Sequence, residues 1–314
     1  MTATTPRSAR RLPSWLLYTT AVAIWSTTWY AIVHQVAHIT PEAGVALRFA
    51  VAGCIALGLA ISRGDRWRCT WREHALLAFQ GVFMYGLAYL GVYHAEKHVP
   101  SGLVAVGYSA SPLLAGIGAW LLWRTPIGPR FVFGGVLCMA GVALIFSPEL
   151  ARVGSGDATV RGAWFTLAAV LLSTVGSLAA SRNTRHGLPF WAAIGWGMLY
   201  GAALSCAVVV ATGQSFAIPA AAAWWWSLGY LALAGSVIAF ACFLELQQRI
   251  GPGAASTIGV TTPVFALVVS ALLEGFRPVW LTWAGAALAV AGNLLILRPA
   301  RREQPAAQAA PTRD

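Results

Sequence analysis

Charge is what this sequence has least of. Of 314 residues only 10% are Asp, Glu, Lys or Arg, against a hydrophobic share of 58% and a mean hydropathy of +0.67. Water-soluble domains carry about 25% charged residues, so this chain lacks the polar surface that a soluble body of its length needs. Lysine is almost absent. Lys97 stands alone, and with no GxxxxGK[ST] loop the chain has no P-loop with which to spend ATP. There is no HExxH for a metalloprotease. Cys54, Cys69, Cys138, Cys206 and Cys242 show no CxxC or His/Cys spacing, which argues against disulfides, bound metal or any cofactor. Gly107-Tyr108-Ser109-Ala110 imitates a serine-protease stretch. The one histidine after it, His186, lies in a loop and offers no base on a later span, so the chain is read as a non-enzyme.

What is present is apolar sequence in long runs. A bilayer span needs about 20 mostly apolar residues. Ten runs qualify, over 15–33, 42–62, 74–93, 101–123, 130–147, 161–181, 190–211, 223–246, 253–273 and 279–297. The fold class is therefore an all-α polytopic membrane protein with ten transmembrane helices.

The second half repeats the first. Gly102 and Pro112 recur 151 residues later as Gly253 and Pro263, and the same offset carries Gly134 onto Gly285 and Gly141 onto Gly292 without a gap. Five spans per half is an odd number, so the halves sit upside down relative to each other, as two inverted five-helix repeats. That architecture suits alternating access to a central site. The division is an N-terminal segment 1–14, a first repeat 15–147, an outer linker 148–160, a second repeat 161–298 and a disordered tail 299–314.

The basic residues are placed as topology requires. With the N-terminus inside, sixteen of the 21 Lys and Arg fall in cytoplasmic segments, including Arg63, Arg66, Arg68 and Arg72 together and Arg298, Arg301 and Arg302 at the end. Such a bias sets orientation, so both termini are expected in the cytoplasm. The net charge of +11 needs no nucleic acid to explain it, because it is not gathered on one face or tail. Arg10-Arg11 ahead of the first run mimics a signal peptide, but that run is too long and no small-residue cleavage site follows.

Several local patterns accumulate in order. The first half holds Trp25-Ser26, Pro41 with Arg48, the entry Pro100-Ser101-Gly102-Leu103-Val104-Ala105, Pro112, Gly134 and Gly141. The second holds Gly251-Pro252-Gly253-Ala254-Ala255, Pro263, Glu274, Gly285 and Gly292. Taken together they resemble ten-span members of the drug/metabolite transporter superfamily, with two EamA-type repeats over nearly the whole chain. Two positions depart from the duplication. Trp123 stands where the second half has Glu274, and Trp196 where alignment of Pro189 with Pro41 places the counterpart of Arg48, so an ionic feature there exists once. The resemblance implies a secondary transporter of the cell inner membrane, exporting a small metabolite such as an amino acid. The alternative is a non-transporting sensor or scaffold, against which stands the lack of a soluble domain.

Pro112 and Pro263 lie mid-span, where each removes a helix hydrogen bond. Hydroxyls at Ser109, Ser111, Thr261 and Thr262 are expected to satisfy the freed carbonyls, and paired helix kinks point to a central site. Each glycine pair, Gly134/Gly141 and Gly285/Gly292, shares one helix face and serves close packing, with homodimer contact as the alternative. For a cavity taking a small-molecule substrate, the candidates are Trp25, Trp29, Tyr30, Tyr85, Tyr89, Ser173, Ser177, Ser236 and Phe240, balanced against aromatics that only pack the bundle. Trp224-Trp225-Trp226 reads as an interfacial belt. Intramembrane charges are Arg48, Glu245 and Glu274. Arg48 is expected to pair with Glu274 or Glu96, or to snorkel outward as a structural clamp. Glu245 and His94 are candidates to relay a coupling proton, against a reading of both as solvated helix ends.

Overall fold

Proline and threonine set the helix starts. In the computed structural model of the protein, which describes residues 12–152 and 157–297, Pro13 leads into α1 (Ser14–Val36). Pro41 opens α2 (Pro41–Ser62) where a missing N–H costs nothing, and the Thr40 hydroxyl ahead of it accepts the Ala43 amide at 3.4 Å. A capping box of Thr70 and Glu73 begins α3 (Trp71–Glu96). The chain continues through α4 (Ser101–Trp123), α5 (Pro129–Arg152), α6 (Asp157–Arg185) and α7 (Phe190–Ala211). Then come α8 (Ala222–Ile250), α9 (Pro252–Leu273) and α10 (Trp280–Leu297). Gly251, at φ 86°, is the single residue between α8 and α9, a conformation that glycine adopts without a Cβ penalty. No strand occurs among the described residues.

Eight of these helices, α1 to α4 and α6 to α9, are long and apolar enough to cross a bilayer. The apolar lengths of the other two, Pro129–Ile145 and Trp280–Ile296, fall just short. The chain is a polytopic α-helical membrane protein.

The expected linker 148–160 is mostly helix, because α5 runs on to Arg152 and α6 begins at Asp157. Pro148 is tolerated because the Ser147 hydroxyl donates to the Leu144 carbonyl at 2.9 Å, the acceptor that a residue-148 amide would otherwise have served. Residues 1–11, 153–156 and 298–314, which hold most of the expected N-terminal segment and all of the tail, lie outside the described residues.

Glycine faces let backbones meet. A β-carbon added at Gly134 would lie 2.6 Å from the Gly292 carbonyl oxygen, and one at Gly141 would lie 2.6 Å from that of Gly285. Between these contacts the Cys138 thiol donates to the Ala289 carbonyl at 3.4 Å. As residue number rises by seven along α5 it falls by seven along α10, so the two helices are antiparallel. The glycine pairs are thus spent on each other inside one chain, which removes the ground for a homodimer contact there. Helices α2 and α7 meet similarly: Gly53 lies against Leu199, and Arg63, further along α2, lies over Trp191, earlier in α7.

Two helices change their hydrogen-bond register. Helix α3 is π-helical over Val82–Leu87 and α8 over Leu231–Ile238, corresponding places of the sequence repeat. Such segments are rare and gather at functional sites. Helix α4 tightens to 3-10 geometry at Tyr108–Ala110, and α9 loosens into a turn at Ser256–Thr257. Each irregularity sits a few residues before the proline of its helix, Pro112 or Pro263.

Candidate functional site

The irregular turns converge. Between α1, α3, α4, α6, α8 and α9 lies a cavity of about 90 Å³. Its aromatic wall is Trp25, Trp29, Tyr89, Tyr108, Phe240 and Phe243, and its hydroxyls come from Thr28, Ser111, Ser173, Thr174, Ser177, Ser256 and Thr262. No ionisable acid, lysine or arginine is among its lining residues. Such a pocket takes a small organic molecule by shape and by a few directed hydrogen bonds.

Trp25 is fixed by the π segment of α8, since its indole Nε1 donates to the Gly235 carbonyl at 3.0 Å. Its ring meets Phe240 and Phe243 at 5.1 and 5.5 Å between centroids. Trp29 tilts against Tyr108 at 5.3 Å. Ser177 accepts at its hydroxyl from Gln247 Nε2 at 2.7 Å, tying α6 to α8. Two polar atoms of the lining residues stand out: Trp29 Nε1 and Thr262 Oγ1 are buried and have no hydrogen-bond partner in the protein. A buried donor left unpaired costs free energy that a ligand's acceptor recovers.

Of the sequence-derived cavity residues, Trp25, Trp29, Tyr89, Ser173, Ser177 and Phe240 line the space, as does Pro263. Tyr30, Tyr85, Ser236 and Pro112 do not. Tyr30 turns its ring to His34 at 5.0 Å. Tyr85 lies inside the π segment, where hydrogen bonds skip five residues, so a spacing of four no longer returns to the same face. It is fully buried between Phe49 and Phe240, behind Tyr89. Ser236 also lies within a π segment and faces α2 instead. Tyr108, Thr262 and Phe243 also line the cavity without having been cavity candidates. The first two precede the paired prolines, and that proximity was the available signal, although Thr262 entered only as a hydroxyl for the Pro263 kink. The hydroxyl repair expected at Pro263 is not seen: Thr262 Oγ1 is unbonded, and Thr261 pairs with Tyr18 at 2.6 Å and Asn293 at 3.1 Å and donates at 3.4 Å to the Thr257 carbonyl rather than to that of Gly259, which the proline frees.

The charges are arranged differently from expectation. Arg48, 1% exposed, donates from Nε to the Ser236 hydroxyl at 3.0 Å. Its guanidinium covers Tyr89 at 4.6 Å and Phe49 at 5.1 Å. It does not pair with Glu274, which stands at the end of α9 and accepts from the amide (3.3 Å) and the hydroxyl of Ser101. The carboxylate thereby caps the N-terminus of α4, where the helix dipole favours an anion. Glu245 is a helix-end residue bonded to Arg249 at 2.8 Å, and that arginine also reaches the Leu12 carbonyl at 2.7 Å. His94 meets Glu42 at 2.7 Å and stacks on Phe165. Trp224 is not part of a belt: it is fully buried and its carbonyl accepts from Gln35, whereas Trp225 and Trp226 are exposed. No cluster of three His, Cys, Asp or Glu able to hold a metal occurs among the described residues.

Comparison with known proteins agrees with this architecture. Residues 13–147 and 160–298 each match the profile of the EamA-like transporter family. An uncharacterized inner membrane transporter, YedA, of Escherichia coli is 26% identical over 282 residues, 87% of each chain. An uncharacterized transporter of Archaeoglobus fulgidus is 27% identical over 176 residues, 54% of this chain, and the match spans about 60% of that relative's length. A solved crystal structure superposes with a TM-score of 0.70 over 90% of this chain and 95% of the other at 20% identity, which speaks for the fold alone. With both halves matching one profile, the chain belongs to the EamA-like transporter family.

Proposed function

We propose that this protein is a secondary transporter moving a small organic metabolite, an amino acid or similar compound, out of the cell by alternating access. The observation that carries the reading is the cavity. It is built from helices of both halves, lined by aromatic rings and hydroxyls, and holds the unpaired donors Trp29 Nε1 and Thr262 Oγ1. A lining without ionised side chains favours an uncharged or zwitterionic guest over a polyanion. We further propose that the ten helices cross the membrane as two inverted repeats, the arrangement that alternating access uses. The antiparallel pairings of α5 with α10 and of α2 with α7, each joining equivalent helices of the two halves, favour that inversion. The inner membrane is the proposed location, in keeping with the E. coli relative's description.

A host expressing the gene and challenged with a panel of amino acids and analogues identifies the guest as the compound to which expression gives resistance. With that compound, Trp29→Phe keeps an aromatic ring, though a smaller one, and removes the indole donor. KM should rise about tenfold at nearly unchanged kcat, the worth of one hydrogen bond made equally in binding and in passage. An unchanged KM would remove Trp29 from the site. For topology, reporters fused near residue 154 should read outside and those after Arg298 inside. Both reading the same side would end the five-plus-five arrangement.

A further inference from the structure

The end of α3 carries an acid that the cavity does not use. Glu96 is the last residue of that helix, partly exposed as a whole, yet both carboxylate oxygens are buried and neither makes a hydrogen bond. Arg48 of α2 lies within electrostatic reach, and its Nη1 is likewise buried and unpartnered. The Tyr93 hydroxyl, which interacts with both, is unbonded as well. Three polar groups that match one another chemically therefore act on one another electrostatically, and each keeps a buried atom that no hydrogen bond satisfies.

The surrounding ionisable groups do not settle the acid's charge. Glu274, at the end of α9, repels a second carboxylate and is itself held by Ser101. Glu42 of α2 is held by His94 of α3. Helix α4 contributes the Tyr108 hydroxyl, and Arg161 of α6 acts with Lys97 on His98, whose imidazole is held below its ordinary pKa first by partial burial and then by these cations. Helix α1 has no acid or arginine along Ser14–Val36. An ionised carboxylate out of water with no donor is far costlier than a neutral carboxyl.

We propose that Glu96 is a reversible proton-binding site. In this conformation one oxygen carries a proton. When the proton leaves to the aqueous phase, the carboxylate pairs with Arg48 Nη1 and draws the guanidinium from the face of Tyr89, a wall of the cavity. The link to transport rests on the function proposed above; the site does not.

Infrared difference spectra of the purified protein in lipid nanodiscs, titrated with acid and alkali, test it without any substrate. The wild type should show a protonated-carboxyl C=O band at neutral pH that is absent from Glu96→Gln and kept in Glu274→Gln. Arg48→Gln, which removes the waiting counter-charge, should require a higher pH for that band to vanish. No band in the wild type, an unaltered band in Glu96→Gln, or an unmoved titration in Arg48→Gln would each overturn the proposal. A protein with the band and no flux for any compound would instead refute the transporter reading alone.

Discussion

Gly141→Leu should cost this protein its fold rather than its turnover. The first carbon added there would lie 2.6 Å from the Gly285 carbonyl oxygen and 2.7 Å from the Ala289 amide nitrogen. These are backbone atoms of α10, which cannot rotate aside as a side chain can. The helix would have to move as a rigid body, and with it the equivalent contact of Gly134 with Gly292. Overpacking a core costs about 1–3 kcal/mol where neighbours adjust, and a clash of backbone against side chain at such range belongs at or beyond the upper end. The expected result is little monodisperse protein in fluorescence-detected size exclusion and a strongly lowered melting temperature. Gly253→Ala is the control, since its β-carbon would meet Phe131 at 3.5 Å, an ordinary contact, and should melt near the wild type. Equal stability of both variants would mean that α5 and α10 do not pack through these glycines.

Arg48→Ala should abolish flux and also weaken the fold. The guanidinium joins α2 to the π segment of α8 through Ser236 and covers Tyr89 and Phe49. Truncation removes the hydrogen bond, the cation–π contacts and a large buried volume, together about 2–4 kcal/mol. Arg48→Lys keeps the charge but has neither the Nε donor nor the planar face, and should melt between the alanine variant and the wild type while transporting less than about a tenth as fast. Full flux in the alanine variant would reduce Arg48 to a packing residue.

Much of this architecture was legible in the sequence because it rests on composition and spacing. Apolar runs mark spans wherever they fall, and the Gly134/Gly141 and Gly285/Gly292 spacings announce close-packed faces whatever they pack against. The identity of the packed partner was not legible, since a glycine face fits a neighbouring chain as well as a neighbouring helix. Tyr85 and Ser236 were misplaced for another reason. The π segments that rotate them depend on backbone hydrogen bonds chosen by tertiary packing, and no residue pattern in Val82–Leu87 or Leu231–Ile238 declares them. The pairing of Arg48 with Glu274 failed because sequence supplies depth in a span but not lateral distance, and an acid beside a helix N-terminus already has a partner.

The packing of the cavity's aromatic wall has a thermodynamic consequence. Its rings are held by their own contacts, Trp25 with Phe240 and Phe243 and Trp29 with Tyr108. A guest that wedges between these rings uses some of its contact free energy in separating Trp25 from Phe243 or Trp29 from Tyr108 before any remains as affinity. The apparent dissociation constant is then the intrinsic one divided by the small fraction of molecules already open. Selectivity among guests follows from how far each makes the helices move as much as from the groups it meets.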